Sequence, residues 1–415
     1  MDFSGKHILI YGDGLSGRSA AQAVERRGGE AVIFSDKQGV FDVPKESFDF
    51  AVISPGIKPT HTIYAYCAEH KMPTVGEAEL GFTLKTQKAV GVTGTNGKTT
   101  TVRLIADMLG GVACGNIGYP ISTAVDEAGD KILVCELSSF QLNNASISPD
   151  VAVITNIAAD HLNWHSTADE YYAAKCNIAT NMSGGYLVLG EDIPIKALKY
   201  LKTGATIIRT SSNKYVDGAY IADGSFYFMG ERVCETDYLR LSGAHNVKNA
   251  LCAIAAAKCI GADNSAIIKA LSTAEAAPHR ISAVGVFNGK RWIDDSKSTN
   301  ISSCLAAIES VDGTICLITG GSDKGLDFSE LFASLDERVT EVIAMGATAK
   351  SIEKCGARYG ISVIAVDGLA DAVEAALATT AGTVLLSPAC ASFDEFNNYA
   401  ERGERFCELV KALGD

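Results

Sequence analysis

The sequence predicts an α/β protein made of three successive domains. Short apolar runs of strand length alternate with helical patterns along most of the 415 residues. This alternation predicts mainly parallel sheets whose strands are joined by right-handed helical crossovers. The length supports three domains, because one domain commonly holds roughly 100–200 residues.

The individual elements follow from apolar runs that are bounded by Gly, Asp or Pro. Residues 219–234 differ, because an Asp-Gly pair between two alternating segments indicates a hairpin. The predicted strands are Ile8–Tyr11, Ala31–Phe34, Ala51–Ile53, Ala89–Val92, Ile132–Glu136, Val151–Thr155, Tyr186–Leu189, Thr206–Arg209, Ile315–Thr319, Val342–Ala344, Val363–Val366 and Val384–Ser387, and the predicted helices include Ser19–Arg27 and Ala244–Cys259.

The domain limits follow from two breaks in this rhythm. A polar stretch near Leu84–Lys88 precedes a new strand, and the strand–helix alternation restarts after Pro278. We therefore expect domains at residues 1–80, 81–277 and 278–415.

The composition favours a globular protein with a reduced interior. Hydrophobic residues make up 47% and charged residues 20%, and the net charge of −13 disfavours a non-specific nucleic-acid binder. The twelve cysteines form no C-x-x-C pair, so we expect reduced, mostly buried thiols. The sequence has no apolar run near the ~18 residues that a membrane span requires, and its first apolar run is short, typical of a strand rather than a signal peptide. We therefore expect a cytoplasmic protein.

The strongest motif is a glycine loop between a strand and a helix, at residues 90–100 with the sequence VGVTGTNGKTT. Such loops turn backbone N–H groups onto a phosphate chain, and the following helix adds a partial positive charge. Lys98 is placed for the β- and γ-phosphates and Thr99 for Mg²⁺. Val92 stands where the strict pattern has glycine, yet the GKTT ending after a strand predicts phosphate binding.

Three further polar residues follow strands or lie on a helix of the central block. Glu136 ends an apolar strand, where a carboxylate can hold Mg²⁺. His161 follows another strand, and Lys175 lies on a predicted helix. The plainer alternatives are a capping glutamate, a structural histidine and a surface lysine.

A second glycine motif lies near the N-terminus. Residues 12–17 fit G-x-G-x-x-G after a strand, and Asp36 ends the second strand about 20 residues later, as in dinucleotide-binding proteins. Asp13 puts an anion inside this loop, so we favour another nucleotide-diphosphate group over NAD. Ser54, after the third strand, is a candidate for another wall of the pocket.

Four polar clusters occur in the last block. They are Pro278–Arg280, Trp292–Asn300, Gly320–Lys324 and Ser387–Asp394, and the last three each follow a predicted strand. Because carboxyl ends of parallel strands share one edge, these clusters can converge, and their lysines, arginine and hydroxyls suit an anionic substrate. Ordinary polar loops are the alternative.

These motifs together resemble one known family, the Mur ligases. TGTNGKTT, ELSSFQL, TNIAADHL, HNVKNALCA, PHR, DDSKSTN, GGSDKG and SPACASFDEF occur in this order along essentially the whole chain. SPGI, PHR and SPACASFDEF favour the members that add D-glutamate. The resemblance implies a Rossmann-like N-terminal domain, a central ATPase domain of P-loop type with a mostly parallel sheet, and a Rossmann-like C-terminal domain.

The resemblance also implies a reaction and its partners. ATP would phosphorylate the carboxylate of UDP-N-acetylmuramoyl-L-alanine, and the amine of D-glutamate would displace the phosphate, in peptidoglycan precursor synthesis. The expected cofactors are ATP and Mg²⁺ at two sites. We expect small-molecule substrates, no nucleic acid, no membrane span and a monomer.

The site residues implied by the resemblance fall into five groups. The catalytic residues would be Lys98, Glu136, His161 and Lys175, and the metal ligands Thr99, Glu136, His161 and Lys175 as a carbamate. ATP would contact Gly94, Thr95, Asn96, Gly97, Lys98, Thr99, Thr100, Asn246, Asn249, Arg280 and Asp295. The UDP-substrate would contact Leu15, Ser16, Asp36, Lys37, Ser54, Asn116 and His161, and D-glutamate would contact Lys297, Thr299, Lys324, Ser392 and Phe393.

The sequence leaves three other functions open. A sister Mur-type ligase would add a different amino acid. An NAD-dependent oxidoreductase would use the N-terminal motif but leaves the GKTT loop unexplained. A nucleotide-dependent switch would hydrolyse ATP slowly and without response to D-amino acids.

Overall fold

The computed structural model describes residues 2–36, 41, 47–158, 164–165, 167–275, 278–323 and 325–414. The chain divides into two compact units. The first unit comprises Met1–Arg240 and Asn246–Ala274, and the second comprises Leu241–His245 and Glu275–Asp415. Within the described residues, every helix is too short or too polar to cross a membrane. All twelve cysteines are free thiols, and ten of them are buried, as expected from their apolar surroundings.

Strands and helices alternate through both units. The strands are β1 His7–Tyr11, β2 Glu30–Phe34, β3 Phe50–Ile53, β4 Thr74–Gly76, β5 Ala89–Thr93, β6 Val112–Gly115, β7 Leu133–Glu136, β8 Val151–Asn156, β9 Tyr186–Asp192, β10 Thr206–Ser211, β11 Gly218–Ala222, β12 Ser225–Phe228, β13 Glu231–Glu235, β14 Ser282–Phe287, β15 Lys290–Asp294, β16 Ile315–Gly320, β17 Val339–Met345, β18 Val363–Val366 and β19 Thr383–Leu386. The helices are α1 Leu15–Glu25, α2 Thr62–Glu69, α3 Glu77–Leu84, α4 Lys98–Leu109, α5 Ile121–Glu127, α6 Ser139–Leu142, α7 Ala168–Cys176, α8 Ile195–Leu198, α9 Ala244–Ile260, α10 Asn264–Thr273, α11 Ile301–Glu309, α12 Ser329–Ala333, α13 Ala349–Arg358, α14 Leu369–Leu377 and α15 Tyr399–Lys411.

In its described residues, the first unit contains a small parallel sheet and a large mixed sheet. The small sheet has the strand order β2-β1-β3-β4, with all neighbours parallel. The large sheet has the order β13-β12-β11-β10-β9-β8-β5-β7-β6 and is parallel from β6 to β11. The hairpin expected at residues 219–234 is present as β11–β12, and β13 adds a second antiparallel pair.

Helices α1, α3 and α5 join the two sheets of the first unit. The buried Glu77 carboxylate accepts hydrogen bonds of 2.7 Å from both the backbone N–H and the hydroxyl of Ser122. The Ser19 hydroxyl lies 2.6 Å from that of Ser122, and Arg27 pairs with Asp126 at 2.6 Å. The domain boundary predicted between residues 80 and 81 falls inside helix α3. The limits of the three domains remain predictions.

The second unit contains a sheet with the order β14-β15-β19-β16-β17-β18 in its described residues. All neighbours are parallel except β14 and β15. Two boundaries differ from expectation. Trp292 to Asp294 were placed after a strand, but they are the last residues of β15, because Trp292 packs fully buried in the sheet. Helix α1 begins at Leu15 instead of Ser19, directly after its extended N-cap residue Gly14.

Candidate functional site

A glycine loop connects β5 to α4 at the carboxyl edge of the large sheet. Gly94 has φ +152° and Gly97 has φ +81°, conformations that side-chain-bearing residues rarely adopt. A Cβ at Gly94 would collide with the Thr155 hydroxyl, and one at Gly97 with the Asn249 amide oxygen. Both glycines are therefore required by conformation and by space, and Asn249 of α9 lies against the loop.

The end of β8 braces the loop from the other side. Asn156 Oδ1 accepts from the Asn96 N–H at 2.9 Å, and its amide Nδ2 donates to Asn96 O at 3.0 Å. Thr155 Oγ1 also donates to Asn96 O, at 2.7 Å. Thr155 and Asn156 were not among the predicted site residues, although they are the first two residues of the TNIAADHL motif.

Two lysines converge on one carbonyl oxygen of the loop. Lys98 Nζ donates to Gly94 O at 2.9 Å and to Thr95 O at 2.9 Å, and Lys175 Nζ donates to Gly94 O at 2.8 Å. Lys175 is 2% exposed and lies over the Tyr171 ring at 4.6 Å. Two positively charged side chains thus lie at the glycine loop, and positive charge there favours a phosphate or another anionic group.

A buried histidine lies beside these lysines and was missed by the sequence reasoning. His165 Nε2 is 3.0 Å from the Ser139 hydroxyl, and its ring packs edge-on against Tyr171. Burial lowers the pKa of His165 to about 4, and the positive charge of Lys175 contributes a smaller part of this shift. The imidazole is therefore neutral at pH 7. The predicted ligand His161 lies outside the described residues.

An acidic residue, Glu136, is the last residue of β7, the strand that pairs with β5. Glu136 of β7 pairs in register with Val92 of β5 and is buried. Asn116 donates from Nδ2 to Glu136 Oε1 at 2.9 Å, so the structure brings these two predicted site residues together. Glu136 and the buried Thr99 hydroxyl are hard oxygen donors of the kind that Mg²⁺ prefers. Among the described residues, no three His, Cys, Asp or Glu side chains cluster as a metal site.

The N-terminal glycine motif forms a tight turn before α1. A Cβ at Gly17 would collide with the Gly12 carbonyl oxygen, and Gly12, at φ +114°, lies against Ser54. Asp36 accepts hydrogen bonds from the Tyr11 hydroxyl and from His61 Nε2, the latter at 2.9 Å. These hydrogen bonds lower the pKa of Asp36, and the bond from Tyr11 has the larger effect. Among the other predicted contacts here, Leu15 is exposed, Ser16 is half-buried and Lys37 lies outside the described residues.

The second unit places a buried acid at the end of β15. Asp295 Oδ2 accepts from the Ser387 hydroxyl at 2.7 Å, and Oδ1 accepts from the Ile281 N–H at 3.3 Å. Burial raises the pKa of Asp295 to about 7, against the opposing effect of these bonds and of the nearby Arg280 charge. Asp295 and Arg280, both predicted contacts, are therefore close neighbours.

The segments that follow β15, β19 and β16 lie side by side, because these strands are neighbours in the sheet. Ser322 donates from its N–H to Ala391 O at 2.9 Å, and its hydroxyl donates to Asp394 Oδ1 at 3.2 Å. Among the other predicted contacts at this edge, Lys297 has its ammonium over the Tyr399 ring at 5.2 Å. Thr299 is half-buried, Ser392 is buried and Phe393 is exposed. Lys324 lies outside the described residues.

Arg402 of α15 ties two of these segments together and was also missed. It is 1% exposed and donates to Ser296 Oγ at 2.9 Å, Ser296 O at 2.8 Å, Cys390 O at 3.0 Å and Ala391 O at 3.2 Å. Burial lowers the pKa of Arg402 to about 10, which leaves the guanidinium charged at neutral pH. Nothing in the local sequence distinguishes this arginine from an ordinary surface residue of a helix.

The sheet order, the glycine loop and the helix that follows it define an α/β protein with a phosphate-type loop. Residues 92–257 match the Mur ligase middle domain, and residues 279–390 match the Mur ligase glutamate ligase domain. The chain is 35% identical to the UDP-N-acetylmuramoylalanine–D-glutamate ligase of Streptococcus pneumoniae (strain P1031) and 34% identical to that of Streptococcus agalactiae serotype III (strain NEM316). Both alignments cover 99% of this chain and 98% of the relative, so the chain belongs to the Mur ligase family.

Solved structures support the fold. A UDP-N-acetylmuramate–alanine ligase from Thermotoga maritima superposes with a TM-score of 0.62 at 18% identity, covering 99% of this chain and 100% of that one. A folylpolyglutamate synthase of Mycobacterium tuberculosis, complexed with ADP and AMPPCP, superposes with a TM-score of 0.60 at 18% identity. The superposition covers 79% of this chain and 94% of that one. These similarities confirm the predicted multi-domain α/β fold.

Proposed function

We propose that this chain is an ATP-dependent ligase that joins D-glutamate to UDP-N-acetylmuramoyl-L-alanine. The observation that carries the proposal is the 35% identity to a ligase of that name along 99% of the chain. The loop at Gly94–Lys98 supports the use of ATP, because it offers glycines, Lys98 and a helix N-terminus to a phosphate chain, and Lys175 of α7 donates to its backbone.

The reaction activates a carboxylate, which is otherwise a poor electrophile. The alanyl carboxylate attacks the γ-phosphorus of ATP, the bond to the β-bridging oxygen breaks, and ADP leaves. The D-glutamate amine then attacks the acyl carbon and loses a proton, and inorganic phosphate leaves as the amide forms. Each turnover therefore gives one amide, one ADP and one phosphate.

The glycine loop supplies electrostatic stabilisation for the first step. Lys98 is the first residue of α4, and its ammonium lies at the loop, where it would offset negative charge on the transferring phosphoryl group. Asn249 and Asn246 of α9 are joined by a hydrogen bond of 3.2 Å, and Asn249 lies against Gly97. This contact supports their assignment to the nucleotide, together with Thr95, Asn96, Thr99 and Thr100.

Mg²⁺ fits the oxygen donors at this edge of the sheet. Thr99 and Glu136 would hold one ion, and His161 with Lys175 as a carbamate would serve a second one. Bound there, Mg²⁺ offsets negative charge on the transferring phosphoryl group. Lys175 supports this role by its burial and by its hydrogen bond to Gly94 O beside Lys98.

The remaining site residues are proposed as contacts of the other ligands. Arg280 and Asp295 would contact ATP, and the buried carboxyl of Asp295 accepts a hydrogen bond from the Ser387 hydroxyl. D-glutamate would be held by Lys297, Thr299, Lys324, Ser392 and Phe393, with the lysines answering its carboxylates. The UDP-substrate would contact Leu15, Ser16, Asp36, Lys37, Ser54, Asn116 and His161. A monomeric state and a cytoplasmic location remain predictions.

An amino-acid panel tests the proposal. The protein is incubated with ATP, Mg²⁺ and UDP-N-acetylmuramoyl-L-alanine, and ADP and the amide product are measured with D-glutamate, L-glutamate, L-lysine or L-alanine. We expect product with D-glutamate alone, in the parent and in the control Lys88→Ala, whose lysine is exposed ahead of β5. Preference for another amino acid would identify a sister ligase, and NADH binding without ADP release would favour the oxidoreductase.

A further inference from the structure

The turn that carries Arg280 has a strained backbone. His279 has φ +60° and Ile281 has φ +47°, so the arginine is flanked by two non-glycine residues in the left-handed region. A β-branched residue such as isoleucine is a genuine outlier there. Such conformations persist only where the surroundings hold them, and they cluster at functional sites.

Three hydrogen bonds hold this turn against the end of β15. His279 Nδ1 donates to Asp294 Oδ2 at 2.6 Å, and the Ile281 N–H donates to Asp295 Oδ1 at 3.3 Å. The Lys297 N–H donates to His279 O at 3.0 Å. The residues on either side of Arg280 are therefore hydrogen-bonded to two consecutive aspartates, Asp294 and Asp295.

Asp294 is itself fixed within the second unit. It is 1% exposed, and its Oδ1 accepts from the Ser296 N–H at 2.9 Å. A Cβ at Gly403 of α15 would collide with His279 Nδ1, so the helix backbone covers the histidine–aspartate pair. Cys407 of the same helix has its thiol 3.6 Å from Asp294 Oδ2. The pair thus joins the turn, β15 and α15.

Arg280 has capacity left for a ligand. Its Nε is buried and has no hydrogen-bond partner among the described residues. A buried donor without a partner is costly, and a ligand oxygen would satisfy it. The strain, the hydrogen bonds and this unused donor all concern the same turn.

We propose that Asp294 and His279 form a positioning pair that holds Arg280 in the geometry needed for the nucleotide phosphates. The inference rests on the proposed function, because it takes Arg280 as a nucleotide contact. The pair acts through the backbone and does not itself touch the substrate. Without it the turn relaxes toward ordinary backbone angles, and the guanidinium leaves its position.

Two substitutions at one position separate positioning from packing. His279→Ala removes the imidazole and keeps the cost of positive φ, whereas His279→Gly removes the imidazole and also relieves that cost. We expect the KM for ATP to rise at least about tenfold in His279→Ala and clearly less in His279→Gly, because small misplacements of a binding group cost up to about 100-fold. The KM for the UDP-substrate should change less than about twofold.

Asp294→Asn tests the other half of the pair, and Lys290→Met provides the control. Both carboxylate oxygens of Asp294 accept hydrogen bonds, from His279 and from the Ser296 N–H, and asparagine replaces one of them with an amide donor, so Asp294→Asn should raise the KM for ATP. Lys290 is also buried, at the opposite end of β15, where its Nζ donates to Ala381 O at 3.2 Å. Lys290→Met should lower the melting temperature without changing the KM for ATP.

Equal KM values for ATP in His279→Ala, His279→Gly and the parent would overturn the inference, as would equal increases in the two variants. If the parent shows no ADP release that depends on D-glutamate, the proposed function fails instead. An active parent with unaffected variants refutes only the positioning pair.

Discussion

Lys175 is the residue whose chemical state the proposal constrains most sharply. As an ammonium it donates to Gly94 O, the oxygen that also accepts from Lys98. As a carbamate it would carry two oxygen donors and a negative charge at the same place. The change reverses the sign of its interaction with Lys98 and with any nearby Mg²⁺. We therefore expect Lys175→Ala to be nearly inactive.

The magnitude follows from the geometry of the two lysines. Their nitrogens lie 2.8 and 2.9 Å from one oxygen, so they are close neighbours. Two unit charges about 5 Å apart interact by about 3 kcal/mol at an effective dielectric near 20. Loss of an attraction of that size lowers turnover at least about 100-fold, since about 1.4 kcal/mol corresponds to a factor of ten.

The assay is ADP release by Lys175→Ala with and without added formate, acetate or propionate. We expect these carboxylates to restore part of the activity by occupying the vacated space. Lys196→Ala is the matched control, because Lys196 also lies over a tyrosine ring, at 5.3 Å, but is exposed. Full activity of Lys175→Ala in bicarbonate-free buffer would refute the carbamate.

Three further predictions concern the same loop and its surroundings. Lys98→Ala should reduce kcat at least ~10³-fold, because it removes charge from the transferring group; activity within tenfold of the parent would exclude this role. Gly97→Ala should weaken binding of a fluorescent ATP analogue at least tenfold by collision with Asn249, whereas Gly110→Ala, at the other end of α4 with open space around it, should bind normally. Equal affinities would contradict the packing argument. Burial lowers the pKa of His165 from 6.5 to about 4 in the folded protein. Between pH 6.5 and 4 the unfolded chain therefore binds more protons at this residue than the folded protein does, so the free energy of unfolding falls as the pH decreases. His165→Gln should show a shallower fall in melting temperature between pH 6.5 and 4, and an unchanged slope would contradict the assignment.

Much of the fold could be predicted, because most strands and helices carry a local sequence signal. The runs at Ile8–Tyr11 and Ala89–Val92 are apolar and end at glycine loops, and the structure has strands at both places. Strand β6, Val112–Gly115, was missed because four residues between glycines carry little periodicity. The order of the nine strands in the large sheet depends on tertiary packing and register, which local patterns do not contain.

The candidate site could be predicted where function demands a sequence motif. The loop around Lys98 was recognisable because its glycines are required by backbone geometry. The bracing by Asn156 and the bonds of Arg402 depend on contacts between residues far apart in the chain, so no spacing revealed them. The burial of Lys175 was equally invisible, since an isolated lysine on a helix is usually exposed.

The central claim is that a substrate carboxylate is phosphorylated before the amide forms. The most direct test uses UDP-N-acetylmuramoyl-L-alanine whose alanyl carboxylate is labelled with ¹⁸O, together with ATP and D-glutamate. Mass spectrometry of the released inorganic phosphate should find one ¹⁸O atom per turnover, because the acyl C–O bond breaks when the amine attacks. Unlabelled phosphate would show that water attacks ATP directly, and it would contradict the proposed ligase chemistry.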